Sequence, residues 1–464
     1  MRKRILVSAI MSTVLLLVPG AFAQHAGRNT NAMDTFQKAL ERDGFHVTPG
    51  AAAFQNLVEE WCAGTIDSAL YANNEPYIQV LVPESVQKPD QLSTNFQLRP
   101  DEAVVLIGQT PPAARYFSYT PYIWSKLYPD GKRRLPFATL GDSVNSATIK
   151  TIGPTPFNSP VALVFTPDQG TDARIRAALR HAGYPSAIIN TVVFPSSMLK
   201  LGRDETADQI RIVLRNAIWQ LQAAGDSYID NPPLSVLRVT PRTPATENPF
   251  PAPRLRIRGT GLTEMNLMNK LDQLREGIVA ANPGLDATEI VMMPMCYEGY
   301  DLIQLGLEMC GDSRDAFYVG AGITEFDKIN RITLSDDEFL VLYGVNHVTT
   351  GKATYMNTNI YASEEAKLTL GAIDDRDFPD TARPYLPAGD PAAAVMYAYK
   401  VSRSCGGESN CKQLTVPEGC TRLTLDSNTL LGVFTRTYLE PETKVGPAMP
   451  EMLYDRLIKF SPRP

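Results

Sequence analysis

Histidine is scarce in this chain, with four residues, and tryptophan scarcer still, with three. So few imidazoles confine His-based catalysis or metal binding to a handful of positions. No Cys-x-x-Cys occurs and no His stands near the cysteine cluster, so the ligand spacing of a zinc site is missing. Beyond the first residues, no apolar run approaches the roughly 20 residues of a membrane-spanning helix. A Gly-x-Ser-x-Gly elbow is absent. The Gly344–Gly351-Lys352 segment has too many residues between its glycines for a phosphate-binding loop, with Ala353 where the hydroxyl belongs. Gly320-Ala-Gly322 lacks the third glycine and the preceding strand of a dinucleotide motif. A basic excess is also lacking: 44 Lys and Arg against 50 Asp and Glu give a net charge of −6. That balance argues against nucleic acid or an anionic membrane as partner.

What is present begins with a targeting segment. Arg2, Lys3 and Arg4 precede an apolar run, Ile5 to Val18, which Pro19-Gly20 breaks before the small-x-small site Ala21-Phe22-Ala23. Residues 1–23 are therefore expected to be a signal peptide, and the product exported, periplasmic or extracellular. In such a compartment the six cysteines read as disulfides. Cys296 and Cys310 are close enough to pair. Among Cys62, Cys405, Cys411 and Cys420, one of the C-terminal three is expected to reach Cys62.

Two stretches read like copies. Leu98-Arg-Pro-Asp-Glu-Ala-Val-Val-Leu-Ile-Gly108 lines up with Leu334-Ser-Asp-Asp-Glu-Phe-Leu-Val-Leu-Tyr-Gly344. Shorter echoes follow in order: Tyr77–Val80 with Leu302–Leu305, Tyr122–Trp124 with Asn359–Tyr361, Thr139–Gly141 with Thr369–Gly371, and Lys200–Gly202 with Lys444–Gly446. Between the copies, Pro241, Pro244, Pro249, Pro251 and Pro253 make a stretch that can be neither helix nor central strand. The expected architecture is α+β: two similar lobes from a tandem duplication, residues 24–240 and 254–464, each an antiparallel sheet with packed helices. A Pro-rich linker, 241–253, joins them.

The repeated cores Ala103–Ile107 and Phe339–Tyr343 are short β-branched and apolar runs ended by Gly, hence strands. Asp172–Ala182 is expected to be a helix capped by Thr171, forming a βαβ unit with Val161–Phe165 and Ile188–Phe194. Further helices are expected over 204–221, 263–280 and 449–458. In the second copy the Cys405–Cys420 loop stands where the first has its Asp172 helix.

Candidate chemistry gathers in the connection after the second repeated strand. Gly344-Val-Asn-His-Val-Thr-Thr-Gly-Lys-Ala-Thr-Tyr355 is polar, whereas its counterpart after Gly108 is a stiff Pro-Pro turn. His347 is the candidate general base, Tyr355 an acid and Lys352 a charge stabiliser; the plainer alternative is a hairpin loop with a locally bonded His. A ligand-binding face is the second candidate. Tyr116 and Tyr122 share one side of a strand while Tyr119 points the other way. With Arg115, and with Asn346 of the polar connection, they suit ring compounds such as sugars, unless the strand is simply half-buried. Asp374-Asp375-Arg-Asp377-Phe-Pro-Asp380 clusters carboxylates, but without the Gly and closing Glu of a calcium loop it reads as a solvated acidic turn. No cofactor or metal is implied.

Gly141-Asp142-Ser143 resembles the nucleophile block of the SGNH (GDSL-type) esterases. That family's pattern also needs a Gly-x-Asn-Asp, which is missing, and an Asp-x-x-His after the serine. Here Asp43-Gly-Phe-His46 precedes it, so no activity follows. Complete catalytic constellations thus fail. The leading expectation is a small-molecule or carbohydrate-like ligand held on the Tyr face or between the lobes. The alternatives are a hydrolase or lyase using His347, and a non-catalytic envelope or surface scaffold.

Overall fold

The computed structural model describes residues 20–69, 76–323, 327, 329–363 and 368–463, with side chains from residue 31 onward. The expected leader falls outside these residues as far as residue 19. The chain is mixed α+β and mostly strand, with four sheets and few helices. Among the described residues no helix is long and apolar enough to cross a membrane.

In the N-terminal half, α1 (Gly20–Arg42) leads into β1 (Phe45–Pro49) and β2 (Ala51–Phe54), then α2 (Leu57–Cys62), β3 (Tyr77–Ser85) and β4 (Lys88–Ser93). Next come β5 (Ala103–Gln109), β6 (Ala114–Leu127) and three short strands, β7 (Arg133–Arg134), β8 (Ala138–Thr139) and β9 (Val144–Asn145). The half closes with β10 (Pro160–Thr166), α3 (Gln169–His181), β11 (Ile189–Val193), β12 (Gln209–Trp219), α4 (Gln222–Asp230) and β13 (Leu234–Pro241). The C-terminal half runs α5 (Met268–Ala280), β14 (Leu285–Ile290), β15 (Met293–Pro294), α6 (Gly299–Leu302), β16 (Ala316–Ala321), β17 (Phe339–Val345), β18 (Tyr355–Ala362) and β19 (Leu368–Asp374). It ends with β20 (Met396–Ser402), β21 (Cys411–Gln413), β22 (Leu431–Tyr438) and β23 (Arg456–Pro462).

Each half holds two sheets. The outer ones have the orders β1-β13-β5-β10-β11 and β14-β23-β17-β20-β21. In both, only the last pair is parallel. The inner ones run β2-β3-β12-β6 and β15-β16-β22-β18, extended by β7 to β9 beside β6 and by β19 beside β18. Register agrees as well: Arg238 faces Val104 as Lys459 faces Leu340, and isolated bridges join Phe96 to Ile210 and Ile332 to Leu431.

Alternation along each repeated strand explains the layering. Val104 and Leu106 of β5 enter the core between the two sheets of their half, while Ala103, Val105 and Ile107 pack under α1 and α3. In β17, Leu340 and Leu342 face the inner sheet, and Val341, Tyr343 and Val345 meet Leu271, Leu274 and Ile278 of α5. A strand buried on both faces reads as a continuous apolar run. The two inner sheets then meet each other through a fifth cluster, in which Tyr116 packs with Tyr355 and Tyr438.

Several sequence expectations are corrected. Each half has a pair of sheets rather than one antiparallel sheet. Residues 204–221 contain the strand β12, not a helix: Ile210, Ile212 and Leu214 alternate into the core, and partners on both sides, β3 and β6, satisfy its backbone. Residues 449–458 are a 3-10 turn followed by β23. The Lys200–Gly202 and Lys444–Gly446 echo is not kept in strand order, since the first segment precedes β12 and the second follows β22. Leu302–Leu305, matched to a strand, is short helix. The βαβ unit forms, but its helix is capped by Asp168, whose Oδ1 accepts from Thr171 N at 2.7 Å. The second half places a loop closed by Cys405–Cys411 between the parallel strands β20 and β21, where the first half has α3. The other disulfides are Cys296–Cys310 and Cys62–Cys420, the latter joining the halves. Three disulfides are consistent with an oxidising compartment.

The segment 241–253 lies back along the N-terminal half. Its Asn248 N donates to Asp168 Oδ2 and Phe250 N to Pro167 O.

Candidate functional site

Both inner sheets send an arm across to the other half. The connection from β2 to β3 carries α2, and Trp61 and Ala69 sit in the core of the C-terminal half, where Arg422 donates to Trp61 O at 2.6 Å. Cys62–Cys420 pins this arm. In return, the connection from β15 to β16 buries Ile303 and Met309 in the N-terminal core, with Tyr128 Oη donating to Ile303 O at 2.5 Å. Cys296–Cys310 closes this second arm into a loop. Gly311 follows that loop with φ 66, and a Cβ there would stand 2.7 Å from the Phe137 ring, so only glycine lets the arm lie this close.

Between the inner sheets and under both arms is a cavity of about 510 Å³. Its walls are aromatic and cationic. β12 contributes Arg211 and Arg215, and β22 contributes Arg436. Arg215 lies opposite Tyr77 and Ser118, and Arg436 lies opposite Tyr318 and Asn357, so the two arginines hold the same place in the two inner sheets. The Arg215 guanidinium stands 5.5 Å from the Tyr77 ring centre and 5.3 Å from that of Tyr122. That of Arg436 stands 5.8 Å from Tyr361 and 4.6 Å from Phe434. Arg211 lies over Trp124 at 4.0 Å and donates to Asn95 Oδ1 at 2.7 Å. Burial pulls Arg211 down to about 10, which leaves it charged at neutral pH. Arg215 donates to Gly311 O at 2.6 Å and to the Tyr122 hydroxyl, while its Nε has no partner. Among the described residues neither Arg211 nor Arg215 forms an ion pair. Buried guanidinium groups left without a carboxylate suit an anionic or strongly polar ligand.

Asp312 lines the cavity within reach of the Arg215 charge, whereas Asp315 is fully buried and outside the lining. Asp312 accepts from Thr139 N at 2.9 Å, and burial pushes it up to about 7. Asp315 accepts from the Tyr116 hydroxyl at 2.8 Å and from Asn145 Nδ2 at 2.9 Å, and burial raises it to about 6. The folded chain therefore holds protons on these groups that the unfolded chain, with an ordinary Asp value of about 3.9, releases. Their contribution to stability is present at low pH and is lost as pH rises through the folded values. Asp312→Asn keeps an acceptor and removes the charge. It is expected to stabilise the protein over wild type at pH 8 by about 4 kcal/mol, read as a higher melting temperature, with the gain shrinking through pH 5 and gone by about pH 4. Parallel melting profiles of the two proteins across that range would contradict the assignment.

The residues singled out from sequence divide between two places. Tyr116 and Tyr122 share the face of β6 turned toward the C-terminal half, and Tyr119 points into the opposite core, as the spacing predicts. Tyr116 is buried, and Tyr122 lies beside Arg215 behind the cavity wall. Arg115 is half-exposed, donating to Thr354 O at 3.3 Å and pairing with Asp375 at 3.5 Å. Tyr355 is buried and stacks on Tyr438, ring centres 4.9 Å apart.

His347, Lys352 and Tyr355 have separate surroundings. His347 is 1% exposed, its Nδ1 2.9 Å from Glu264 Oε1. Burial works against its charge, but the Glu264 carboxylate and the charge of Asp455 together raise it above its ordinary value. Lys352 is buried and donates to Glu440 at 2.8 Å, Glu451 at 2.5 Å and Thr260 Oγ1 at 3.0 Å. The Asn346 side chain accepts from Val348 N within its own turn. Ser143 is 2% exposed and bonded to Thr120 Oγ1 at 2.8 Å. In the acidic loop, Asp374 pairs with Arg376 and Asp380 with Arg383. Sequence reasoning missed Arg211, Arg215 and Arg436. The signal was there: Arg211, Val213 and Arg215 are spaced by two in a run rich in Ile and Val.

Comparison with known proteins adds no identity. No family profile matches the chain, and no curated protein resembles it. Among solved structures, an uncharacterised protein from Burkholderia cenocepacia is 13% identical, with 95% of this chain and 89% of that one covered and a TM-score of 0.39. A protein from Vibrio parahaemolyticus is 12% identical, with 94% and 96% covered and a TM-score of 0.35.

Proposed function

We propose that this is an exported, two-lobed binding protein that holds a small anionic, ring-bearing ligand, such as an acidic sugar, in the cleft between its inner sheets. The observation that carries this reading is the inter-sheet cavity, in which Arg211 and Arg215 stand among aromatic rings without carboxylate partners. Aromatic faces take the ring and the guanidinium groups take the anionic substituent. The lobes are read as products of a tandem duplication. The strand-by-strand match of order, sense and register supports it, and a duplicated sheet packed on its copy places Arg215 and Arg436 in the same cleft.

The loop carrying His347 is read as structural. His347–Glu264 and Lys352–Glu440–Glu451 fasten the entry to α5 and the turn before β23 onto the β17–β18 connection. A buried, charge-compensated His is poorly placed to take a proton from a substrate.

A thermal-shift series with a uronic acid, its neutral parent sugar and an aromatic carboxylic acid tests the reading. The acidic ring compounds are expected to raise the melting temperature, as any ligand selective for the folded state does. Arg211→Met keeps an apolar stem and removes the guanidinium over Trp124, and is expected to weaken binding about tenfold or more, the worth of a charge-assisted hydrogen bond. Equal stabilisation by the neutral sugar would overturn the anionic-ligand reading, and no stabilisation by any compound would favour a scaffold over a binding protein.

A further inference from the structure

Five of the chain's 14 methionines line one cavity of about 450 Å³ in the C-terminal half, far from an even scatter. They arrive on three separate segments. Met265–Leu267 and Met449–Glu451 are 3-10 turns, in which residues i and i+3 eclipse one another. Met265 opens the first turn and Met268 follows it, and Met449 opens the second while Met452 follows it in extended backbone. Met292 comes from the link between β14 and β15. The cavity grades from a dry floor to an open rim: Met452 is 1% exposed, Met292 5% and Met265 39%.

The sulfurs are not equivalent. Met268 Sδ accepts from Arg456 Nη2 at 3.3 Å. Among the described residues, the other four accept no hydrogen bond. Asp455 lies on the same wall, 2% exposed; its Oδ1 accepts from the Tyr397 hydroxyl at 2.5 Å, and its Oδ2 has no partner. His347 shares its charge between this carboxylate and Glu264, which leaves one negative charge over, and a buried carboxylate oxygen without a donor is costly unless a further cation completes it. Methionine used only to fill a core is interchangeable with Leu; here Met292, Met449 and Met452 belong to the core under β17 and line the cavity as well. Among the described residues no His or Cys lines the cavity, which removes the usual ligands for zinc. Hard cations need more oxygen ligands than Asp455 and Glu289 provide, and Glu289 is already paired with Arg275. Neutral, polarizable thioethers select soft ions.

We propose that this cavity is a binding site for a single soft monovalent metal cation of the copper(I) class, held by the thioether sulfurs of Met265, Met292, Met449 and Met452, with the Asp455 carboxylate balancing its charge. The site is separate from the inter-sheet cleft and does not depend on the reading of that cleft.

The test uses the full chain, anaerobic and without thiols, titrated into copper(I) held by a coloured chelator. Withdrawal of one equivalent of copper(I) is expected, with zinc and calcium failing to compete. Silver(I), a redox-inert probe, is expected to move the methyl resonances of the cavity methionines in methyl-labelled protein. Met292→Leu with Met452→Leu preserves volume and is expected to weaken copper(I) binding about 100-fold at a nearly unchanged melting temperature. The rim pair Met265→Leu with Met449→Leu gives the same reading should the floor pair disturb folding. Failure to draw copper(I) from the chelator overturns the proposal. So does a folded double variant that binds like wild type, or silver shifts confined to methionines elsewhere.

Discussion

Replacing Glu102 with Ala is expected to destabilise the protein by about 4 kcal/mol, while Glu338→Ala, at the matching place in the C-terminal half, is expected to cost about 1 kcal/mol. The two carboxylates sit at the end of the same phrase, Leu-x-x-Asp-Glu, before β5 and β17. Each accepts from the backbone N–H three residues earlier, Arg99 N at 2.9 Å and Ser335 N at 2.9 Å. Each meets a cation and a hydroxyl from the last strand of its half: Arg238 and Thr240 for Glu102, Lys459 and Ser461 for Glu338. The difference is burial. Glu102 and Arg238 are both 0% exposed, and Arg203 approaches the same carboxylate, whereas the Glu338 and Lys459 side chains remain 16% and 20% exposed. Removing Glu102 strands two guanidinium groups, one of them fully buried, which is the costly way to break an ion pair. Removing Glu338 leaves a lysine that water can reach. Burial raises the Glu102 carboxyl, but Arg238 and Arg203 outweigh it and hold it below its ordinary value. Its contribution is present above the unfolded value and is lost as pH falls through the folded one. Equal losses for the two variants in urea titrations would show that burial does not distinguish the two sites.

Removing the Cys62–Cys420 bridge, by Cys62→Ser with Cys420→Ser, is expected to cost about 4 kcal/mol, the range for a cross-link closing a very long loop. The bridge spans 358 residues and joins one half to the other. It also holds the arm that carries Leu57 and Ile66 to the cavity edge. Two effects should therefore appear together: a lower melting temperature and weaker binding of any cleft ligand. Cys405→Ser with Cys411→Ser closes a much shorter loop, 6 residues apart, far from the cleft. It should lower stability less and leave cleft binding unchanged. A Cys62 variant that melts like wild type would mean that Trp61, Ala69 and the Arg422 contacts hold the arm alone.

Legibility followed the range of the interactions. The repeated phrases exposed β5 and β17 because a strand covered on both faces must be apolar throughout, and that pattern survives in a single sequence. The α3 helix and the βαβ unit were legible for a similar reason, since helical periodicity is local, although the cap is Asp168 and not Thr171. β12 was misread because Ile210, Val213, Leu214, Ala217 and Ile218 also fit a helical stripe. Only its neighbours β3 and β6, distant in sequence, settle the choice. The polar loop at His347 drew attention because titratable groups cluster there in sequence, yet their partners Glu264, Glu440 and Glu451 come from elsewhere in the chain and bury them.

From the sequence alone, then, came the cysteine supply, the mixed α+β character, the two matching strand phrases and the sharing of one strand face by Tyr116 and Tyr122. Each depends on composition or on spacing of a few residues. Tertiary structure decided that the inner sheets meet face to face, that their arms cross, and that Arg211, Arg215 and Arg436 converge on one cavity, the first two without an ion pair among the described residues. Burial and pairing between residues hundreds of positions apart are set by how the layers stack, and no local pattern encodes them.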